Sequence, residues 1–234
     1  MKKIKRILLW ILGMTGGIWC IVSMSEKETK RTETEVRESS NILEESGEEK
    51  DIMKIALTFD DGPSKYTSRL SEGLKKKGVS ATFFLLGANV EKYPEEGKKL
   101  AEDGHLLGNH SYSHVQLNNI PLKKAYQEII KTNNLIYETT GEYPQYVRPP
   151  FGEWSSQLEK QVEMFPVFWN LDSLDWKVKN TEKIVKTVTD QTKEGSIILM
   201  HDGYETSVEA AFQIVDLLQK RGFEFVTVDQ MILD

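Results

Sequence analysis

Two adjacent carboxylates, Asp60 and Asp61, follow an apolar segment of strand length (residues 53–57) and precede a Gly-Pro turn at 62–63. This pattern predicts that both carboxylates lie at the end of a β-strand. Neighbouring side chains of a strand point to opposite faces, but a loop can turn both toward one cleft. Two carboxylates held close together raise each other's proton affinity unless a cation separates their roles. A metal would let one be a ligand and the other a base, whereas a solvated turn explains this stretch alone equally well.

Two of the four histidines, His110 and His114, are four residues apart and follow a predicted strand at 104–108. On one face of a helical turn, this spacing would bring both imidazoles to one ion. Taken alone, the spacing is a weak signal. His201 ends a predicted buried strand and is either a core residue or a cleft residue, and its place at the strand end favours the cleft. His105, within a strand, is interpreted as structural.

Two further polar segments follow predicted strands. Arg148 and Phe151 flank two prolines, which fix the backbone and leave the Phe151 amide free to donate to a ligand. A rigid loop with a surface ion pair from Arg148 is the alternative interpretation. Residues 172–176 (DSLDW) place two carboxylates and a tryptophan after the next strand.

Strands and helices alternate from Met53 onward. The predicted strands are 53–59, 80–86, 104–108, 145–148, 165–171, 196–200 and 223–228, and the predicted helices are 65–77, 94–103, 121–139, 155–164, 181–193 and 207–221. This alternation predicts an α/β fold, a distorted or incomplete (β/α) barrel of about seven parallel strands. Chemistry in such folds collects at the carboxyl ends of the strands, where the candidate residues fall.

The chain has 234 residues, which is long enough for one sizeable domain. Its composition limits the kinds of partner that it can bind. A net charge of −6 argues against a nucleic-acid partner, because no basic face is available to neutralise phosphates. The single cysteine, Cys20, lies in an apolar run, so the sequence contains no disulfide framework. No segment suggests a dedicated dimer interface, and we expect a monomer.

The first 52 residues differ in composition from the rest. Residues 1–24 contain a basic flank and an uncharged apolar run, which predicts a signal peptide or a membrane anchor. We expect the uncleaved anchor, because no Ala-x-Ala cleavage site follows. Residues 25–52 are polar and acidic and cannot bury a core, which predicts a disordered tether. The domain at 53–234 is then expected outside the cell, anchored to its membrane, or secreted if the segment is cleaved.

Five motifs in chain order resemble those of the NodB-homology polysaccharide deacetylases, carbohydrate esterase family 4. They are residues 58–63 (TFDDGP), 110–114 (HSYSH), 148–151 (RPPF), 172–176 (DSLDW) and 199–201 (LMH). Each motif is weak by itself, but five in order at consecutive strand ends are a strong signal. The resemblance covers 53–234 and implies the fold of the NodB homology domain.

The resemblance implies a catalytic metal site. Asp61, His110 and His114 would bind a divalent metal, with zinc as the first choice and cobalt as the alternative. Two imidazoles and one carboxylate leave coordination positions open, as a catalytic zinc site requires. Asp60 would be the general base that activates water.

The resemblance also implies an acid and its supporting groups. His201 would protonate the departing amine, because amines leave poorly as anions. Asp175 would favour the charged form of His201, and Arg148 would keep Asp60 ionised.

The remaining motif residues would surround the substrate. The Phe151 amide would help to hold the oxyanion. Trp176 and Leu199 would form the apolar walls of a small pocket for the acetyl methyl group. Asp172 receives no role beyond capping a loop.

The substrate implied by the resemblance is a polysaccharide with N-acetyl groups, and peptidoglycan N-acetylglucosamine is the first choice. Asp-Asp-Gly-Pro is the form that the N-acetylglucosamine deacetylases carry, whereas the N-acetylmuramic acid deacetylases usually lack it. Poly-N-acetylglucosamine and chitin oligomers are the enzymatic alternatives. A glycan-binding domain on an inactive deacetylase fold is the non-enzymatic alternative, and such a domain would be expected to have lost a ligand or the base.

Overall fold

The structure is a computed structural model that describes residues 53–232. Its strands are β1 (Met53–Gly62), β2 (Thr82–Leu85), β3 (Leu106–Asn109), β4 (Tyr146–Val147), β5 (Phe165–Pro166), β6 (Leu171–Asp172), β7 (Ile197–His201) and β8 (Phe223–Val226). Its α-helices are α1 (Thr67–Lys76), α2 (Gly87–Lys92), α3 (Pro94–Glu102), α4 (Leu122–Thr140), α5 (Ser156–Glu159), α6 (Asp175–Val178), α7 (Thr181–Gln191), α8 (Glu205–Lys220) and α9 (Val228–Ile232). Two 3₁₀ turns cover Leu117–Asn119 and Pro150–Gly152.

The expected anchor at 1–24 and tether at 25–52 lie outside the described residues. Within 53–232, no helix is both long enough and apolar enough to cross a bilayer.

The strands form one sheet in the order β5-β4-β3-β2-β1-β7-β6, with β8 also paired to β1. All seven pairings are parallel. The edge strands β5 and β6 are consecutive in the chain, so the chain passes from one edge of the sheet to the other within residues 167–170. This arrangement confirms the predicted distorted α/β barrel.

The prediction of one strand at 165–171 is wrong in detail. The structure divides it into β5, which pairs with β4, and β6, which pairs with β7. Between them, the carbonyls of Val167 and Phe168 accept hydrogen bonds from the Arg148 side chain at 3.2 and 3.3 Å. Part of this segment therefore binds a buried cation rather than continuing a strand.

Side chains of β1 alternate between two surroundings. Ile55, Leu57 and Phe59 are fully buried in the main apolar core, which includes the inward faces of α1 and α8. Burial of a side chain of this size contributes roughly 1.5–3 kcal/mol. The intervening residues Thr58 and Asp60 point to the opposite side of the sheet, where the polar site is built.

The helix predictions hold for the long segments. Predicted helix 121–139 corresponds to α4, which ends at a left-handed Gly141 with φ 78°. Predicted helix 155–164 is wrong in length, because only α5 is helical there. The short helices α2, α6 and α9 were not predicted, and with four to six residues each they carry too few turns for a periodic signal.

Candidate active site

The carboxylate pair lies at the end of β1, which extends to Gly62, beyond the predicted end at 59. The pairing register with β2 shifts between Asp60 and Gly62, and Asp61 has a positive φ of 70°. This bulge lets consecutive side chains both reach one cleft. Asp60 is 3% exposed, whereas Asp61 is only partly buried.

Asp61 and the two histidines of the third strand end form a group that could hold a metal ion. The Nε2 atoms of His110 and His114 each lie 3.5 Å from Asp61 Oδ1, and one ligand atom from each residue lies within 4.8 Å of the others. Asp61 Oδ1 is buried and, among the residues at 53–232, has no hydrogen-bond partner. A bound cation would satisfy this oxygen, so the donor set fits a divalent ion.

Neighbouring groups determine which ring nitrogen of His110 is free to bind a metal and shift the pKa of His114. His110 Nδ1 lies 2.6 Å from the Arg148 carbonyl oxygen, an acceptor, so Nδ1 carries the proton and Nε2 keeps its lone pair. Burial lowers the pKa of His114, although the charge of Asp61 opposes the effect. The lowered pKa favours the neutral imidazole of His114, the form that binds metals.

The expectation that His110 and His114 share a helical turn is wrong. Residues 110–114 form a loop in which Ser111 and His114 have positive φ angles of 65° and 57°. The two rings nevertheless lie 5.0 Å apart, centroid to centroid. Left-handed residues curl the chain, and the curl brings the rings together without a helix.

Arg148 and Asp60 form a buried ion pair beside these ligands. Arg148 is fully buried, and its Nη1 donates to Asp60 Oδ1 at 2.8 Å and to Thr58 Oγ1 at 2.7 Å. Burial lowers the pKa of Arg148, whereas the charge of Asp60 acts in the opposite direction. The guanidinium holds Asp60 Oδ1 in place, and Asp60 Oδ2 lies 3.7 Å from His110 Nε2.

His201, at the end of β7, pairs with the buried Asp175 at the start of α6. His201 Nδ1 lies 2.7 Å from Asp175 Oδ1, and Asp175 Oδ2 accepts from the His201 amide at 2.8 Å. Ser207 also donates to Asp175 Oδ2, at 2.6 Å. Burial alone would lower the pKa of His201, but the hydrogen bond and charge of Asp175 outweigh it and raise the pKa to about 9. His201 is therefore cationic at neutral pH.

These groups line one cavity of about 390 Å³ at the carboxyl ends of the strands. Its lining residues are Asp60, Asp61, His110, His114, Pro149, Phe151, Trp169, Asp172, Trp176, Leu199, His201 and Tyr204. Arg148 and Asp175 lie behind this wall, where each contacts a lining residue. The structure thus brings together every site residue that the sequence predicted.

Phe151, Leu199 and Trp176, which were predicted to surround the substrate, line the same cavity as the Asp-His-His group. Phe151 has a positive φ of 61°, and its amide donates to no group within 53–232. Its ring is exposed and meets the His114 ring edge-on at 4.8 Å. Leu199 is buried and Trp176 is 47% exposed, so the cavity has one fixed and one accessible apolar wall.

Several lining residues were missed by the sequence reasoning. Trp169, Tyr204 and Pro149 contribute surface to the cavity, and Trp169 also packs over the Arg148 guanidinium at 5.7 Å. Trp169 and Tyr204 lie outside the five motifs, so the sequence carried no signal for them. Asp172 accepts from the Leu174 amide at 2.8 Å, the loop-capping contact expected for it, and it also lines the cavity.

The strand ends of this parallel α/β barrel gather an Asp-His-His group, a buried carboxylate–arginine pair and a cationic histidine. Such a set of groups is suited to metal-assisted hydrolysis. The polysaccharide deacetylase family model matches residues 47–167, more than half of the chain. The chain belongs to this family, as its five motifs predicted.

Curated relatives and a solved structure agree with this assignment. Peptidoglycan-N-acetylmuramic acid deacetylase PdaC of Bacillus subtilis is 41% identical over 76% of this chain. A peptidoglycan-N-acetylglucosamine deacetylase of Bacillus cereus is 39% identical over 76% of this chain and 68% of its own length. The structure of B. subtilis PdaC superposes with a TM-score of 0.75 and 40% identity, covering 77% of this chain and 90% of that one.

The chain spans 38% of the length of PdaC and of the relative PgdA from Listeria monocytogenes.

Proposed function

We propose that this protein is a metal-dependent hydrolase that removes acetyl groups from the N-acetylglucosamine units of peptidoglycan. The observation that carries the proposal is the Asp61, His110 and His114 group, whose ligand atoms lie within 4.8 Å of one another beside the buried Asp60. Two relatives support the substrate, because PgdA of L. monocytogenes and the B. cereus protein are named peptidoglycan-N-acetylglucosamine deacetylases.

Zinc is the ion that the donor set favours, with cobalt as the alternative, because two imidazoles and one carboxylate match catalytic zinc sites. An ion held by Asp61, His110 and His114 would act as a Lewis acid toward the amide carbonyl. The protonated Nδ1 of His110 orients its ring, since Nδ1 lies 2.6 Å from a carbonyl acceptor.

Asp60 is assigned as the general base. Its Oδ1 is bound to Arg148, and its second oxygen remains directed toward the metal ligands at 3.7 Å from His110 Nε2. The hydrogen bond from Arg148 fixes the position of the carboxylate. Asp60 takes a proton from water as the water oxygen bonds to the acyl carbon.

His201 is assigned as the general acid. Because Nδ1 is bound to Asp175, Nε2 is the nitrogen that faces the cavity. The C–N bond of the tetrahedral intermediate breaks, its electron pair goes to nitrogen, and His201 donates a proton to the departing amine. The products are acetate and a glucosamine unit.

Three residues complete the substrate pocket. The free amide of Phe151 donates to the developing oxyanion, since its backbone is left-handed and finds no partner in the described part of the chain. Leu199 and Trp176 contact the acetyl methyl group, because they supply apolar surface to the same cavity.

The location of the protein is also a proposal. A membrane anchor at 1–24 and a tether at 25–52 would hold a monomeric domain at 53–234 outside a bacterial cell, beside its wall. The basic flank, the uncharged apolar run and the acidic tract of the sequence support this arrangement.

N-acetylmuramic acid is the second candidate sugar, because PdaC, 41% identical to this chain, is named for it. Poly-N-acetylglucosamine and chitin oligomers remain alternative polymers. A glycan-binding domain on an inactive fold is the non-enzymatic alternative. The presence of the Asp61, His110 and His114 group and of the Asp60–Arg148 pair counts against it.

Acetate release from purified peptidoglycan and from N-acetylglucosamine oligomers, with zinc added to the full chain, tests the proposal. Mass spectrometry of the released muropeptides identifies the sugar that lost its acetyl group. Release from oligomers alone would move the substrate to another polymer. Metal binding without release from either substrate would favour the glycan-binding alternative.

Two substitutions separate the metal ligand from the base. Asp61→Ala should abolish zinc binding and turnover, whereas Asp60→Asn should keep zinc and lose roughly 100-fold or more in kcat, the usual contribution of a general base. Asp190→Asn, at an exposed position of α7, is the matched control and should leave both unchanged. Normal turnover by Asp60→Asn would exclude Asp60 as the base.

A further inference from the structure

Glu128 of α4 lies outside all five motifs, yet its carboxylate contacts the loop between the two metal-binding histidines. Its Oε2 accepts from the backbone amides of Tyr112 at 3.0 Å and of Ser113 at 2.8 Å. The Ser113 hydroxyl donates to the same carboxylate at 3.0 Å. One side chain thus binds three donors on a loop that lies 15 residues away in sequence.

This loop has a backbone conformation that does not persist without support. Ser111 and His114 both have positive φ angles, which L side chains rarely adopt. The position of the His114 imidazole depends on this curl. Contacts that hold the loop in place therefore also hold a metal ligand in place.

The loop amides divide into two kinds by partner. Of the four amides after His110, Ser111 N donates to Asn109 Oδ1 at 2.7 Å, and His114 N donates to Ser111 Oγ at 3.1 Å. Both partners are local in sequence. In the described part of the chain, the two middle amides donate only to Glu128, so α4 is the support for the centre of the loop.

The opposite side of the loop is fixed by α2. The Ser111 and Tyr112 carbonyls accept from the amides of Gly87 and Ala88, each at 3.0 Å. A Cβ at Gly87 would lie 2.6 Å from the Tyr112 ring, so the loop packs directly on that helix. The loop is therefore held between α2 on its carbonyl side and Glu128 on its amide side.

We propose that Glu128 is a positioning residue that raises the affinity for the divalent ion by holding the 110–114 loop in its metal-binding conformation. The proposal rests on the metal site of the proposed function. Glu128 itself makes no hydrogen bond to Asp61, His110 or His114, so it acts through the backbone of Tyr112 and Ser113.

Two conservative substitutions separate position from charge. Glu128→Asp keeps the negative charge but withdraws the carboxylate by one methylene, too far to bind both amides. Glu128→Gln loses the charge but keeps an oxygen that can occupy the place of Oε2 and accept both amide protons. A positioning role therefore predicts a large effect from the Asp variant and a small effect from the Gln variant.

The measurement is the zinc affinity of the metal-free full chain, obtained by competition with a chromogenic chelator. We expect Glu128→Asp to weaken zinc binding by about 10-fold to 100-fold, as for other residues that orient metal ligands. Glu128→Gln should stay within about threefold of the wild type. Glu138→Asp is the matched control, because Glu138 is exposed on the same helix and should leave the affinity unchanged.

Two outcomes would overturn the proposal. Zinc affinity of Glu128→Asp equal to that of the wild type would show that the loop needs no support from α4. A larger loss of zinc affinity from Glu128→Gln than from Glu128→Asp would assign the effect to charge rather than position. Absence of zinc binding by the wild type would instead refute the metal site of the proposed function, so the two failures are distinguishable.

Discussion

Replacement of Asp175 by Asn tests whether this carboxylate keeps His201 protonated, as the proposed role of His201 as the general acid requires. The Asp175 carboxylate lies 2.7 Å from His201 Nδ1 and also accepts from the amides of His201 and Trp176 and from the Ser207 hydroxyl. A carboxylate can serve all four donors because both of its oxygens accept. An Asn side chain carries no charge and has only one accepting oxygen, so some of these four donors would lose their acceptor.

The structure gives the size of the expected effect. A rise in the pKa of His201 from 6.5 to about 9 corresponds to about 3 kcal/mol, at about 1.4 kcal/mol per pKa unit. His201 is only 14% exposed, so solvent screens this interaction little. Burial opposes the effect of Asp175, whereas the weaker charge effects of Asp60 and Asp61 also raise this pKa and remain in the variant, so the variant's pKa should fall toward 6.5. At pH 7.5 the protonated fraction would drop to about a tenth.

The assay has two readouts. NMR titration of the metal-free full chain follows the pKa of each of the four histidines, and His201→Ala identifies the signal of interest. The pH profile of kcat/KM follows the acid in the free enzyme, whose alkaline limb should move down by about two pH units in Asp175→Asn. Activity at pH 7.5 should fall about tenfold from protonation alone.

Ser207→Ala is the control, because it removes one hydrogen bond from Asp175 while leaving the His201–Asp175 pair in place. Its alkaline limb should stay close to that of the wild type. An unchanged histidine titration in Asp175→Asn would refute the electrostatic argument. A shifted titration with an unchanged activity profile would instead refute the acid role of His201.

Two further predictions concern buried charges. Arg148→Ala should destabilise the fold by about 3–5 kcal/mol in urea unfolding, because it leaves Asp60 buried without its cation; an unchanged unfolding midpoint and slope would contradict this. Burial raises the pKa of Asp202 from 3.8 to about 7, although a hydrogen bond from Thr67 opposes the shift, so the folded state binds more protons than the unfolded state between these values. Stability should therefore fall as pH rises through this interval, and Asp202→Asn should raise the Tm of the metal-free protein more at pH 8 than at pH 4; equal changes at both values would contradict this.

Motif order and strand placement were sufficient to predict the fold and the cluster of site residues. The histidine spacing at 110–114 predicted proximity correctly but a helical turn wrongly. The turn is excluded because the middle amides of the loop donate to Glu128 rather than to carbonyls of their own segment. Glu128 could not be predicted, since its contact depends on how α4 packs against a loop 15 residues earlier. Tertiary contacts of this kind leave no local pattern.

Arg148 explains why the segment at 165–171 is broken where it is. A buried guanidinium needs acceptors for its donors, and Asp60 and Thr58 together engage only Nη1. The carbonyls of Val167 and Phe168, which lie between β5 and β6, accept from Nε and Nη2. Lysine cannot replace this residue, because one ammonium lacks the planar spread of donors that reaches β1 on one side and the 167–168 carbonyls on the other. The backbone carbonyl of Arg148 also accepts from His110, so the same residue orients the proposed metal ligand His110 and holds the proposed base Asp60. The segment between β5 and β6 thus serves the site, because it supplies two of the acceptors of the cation that holds Asp60.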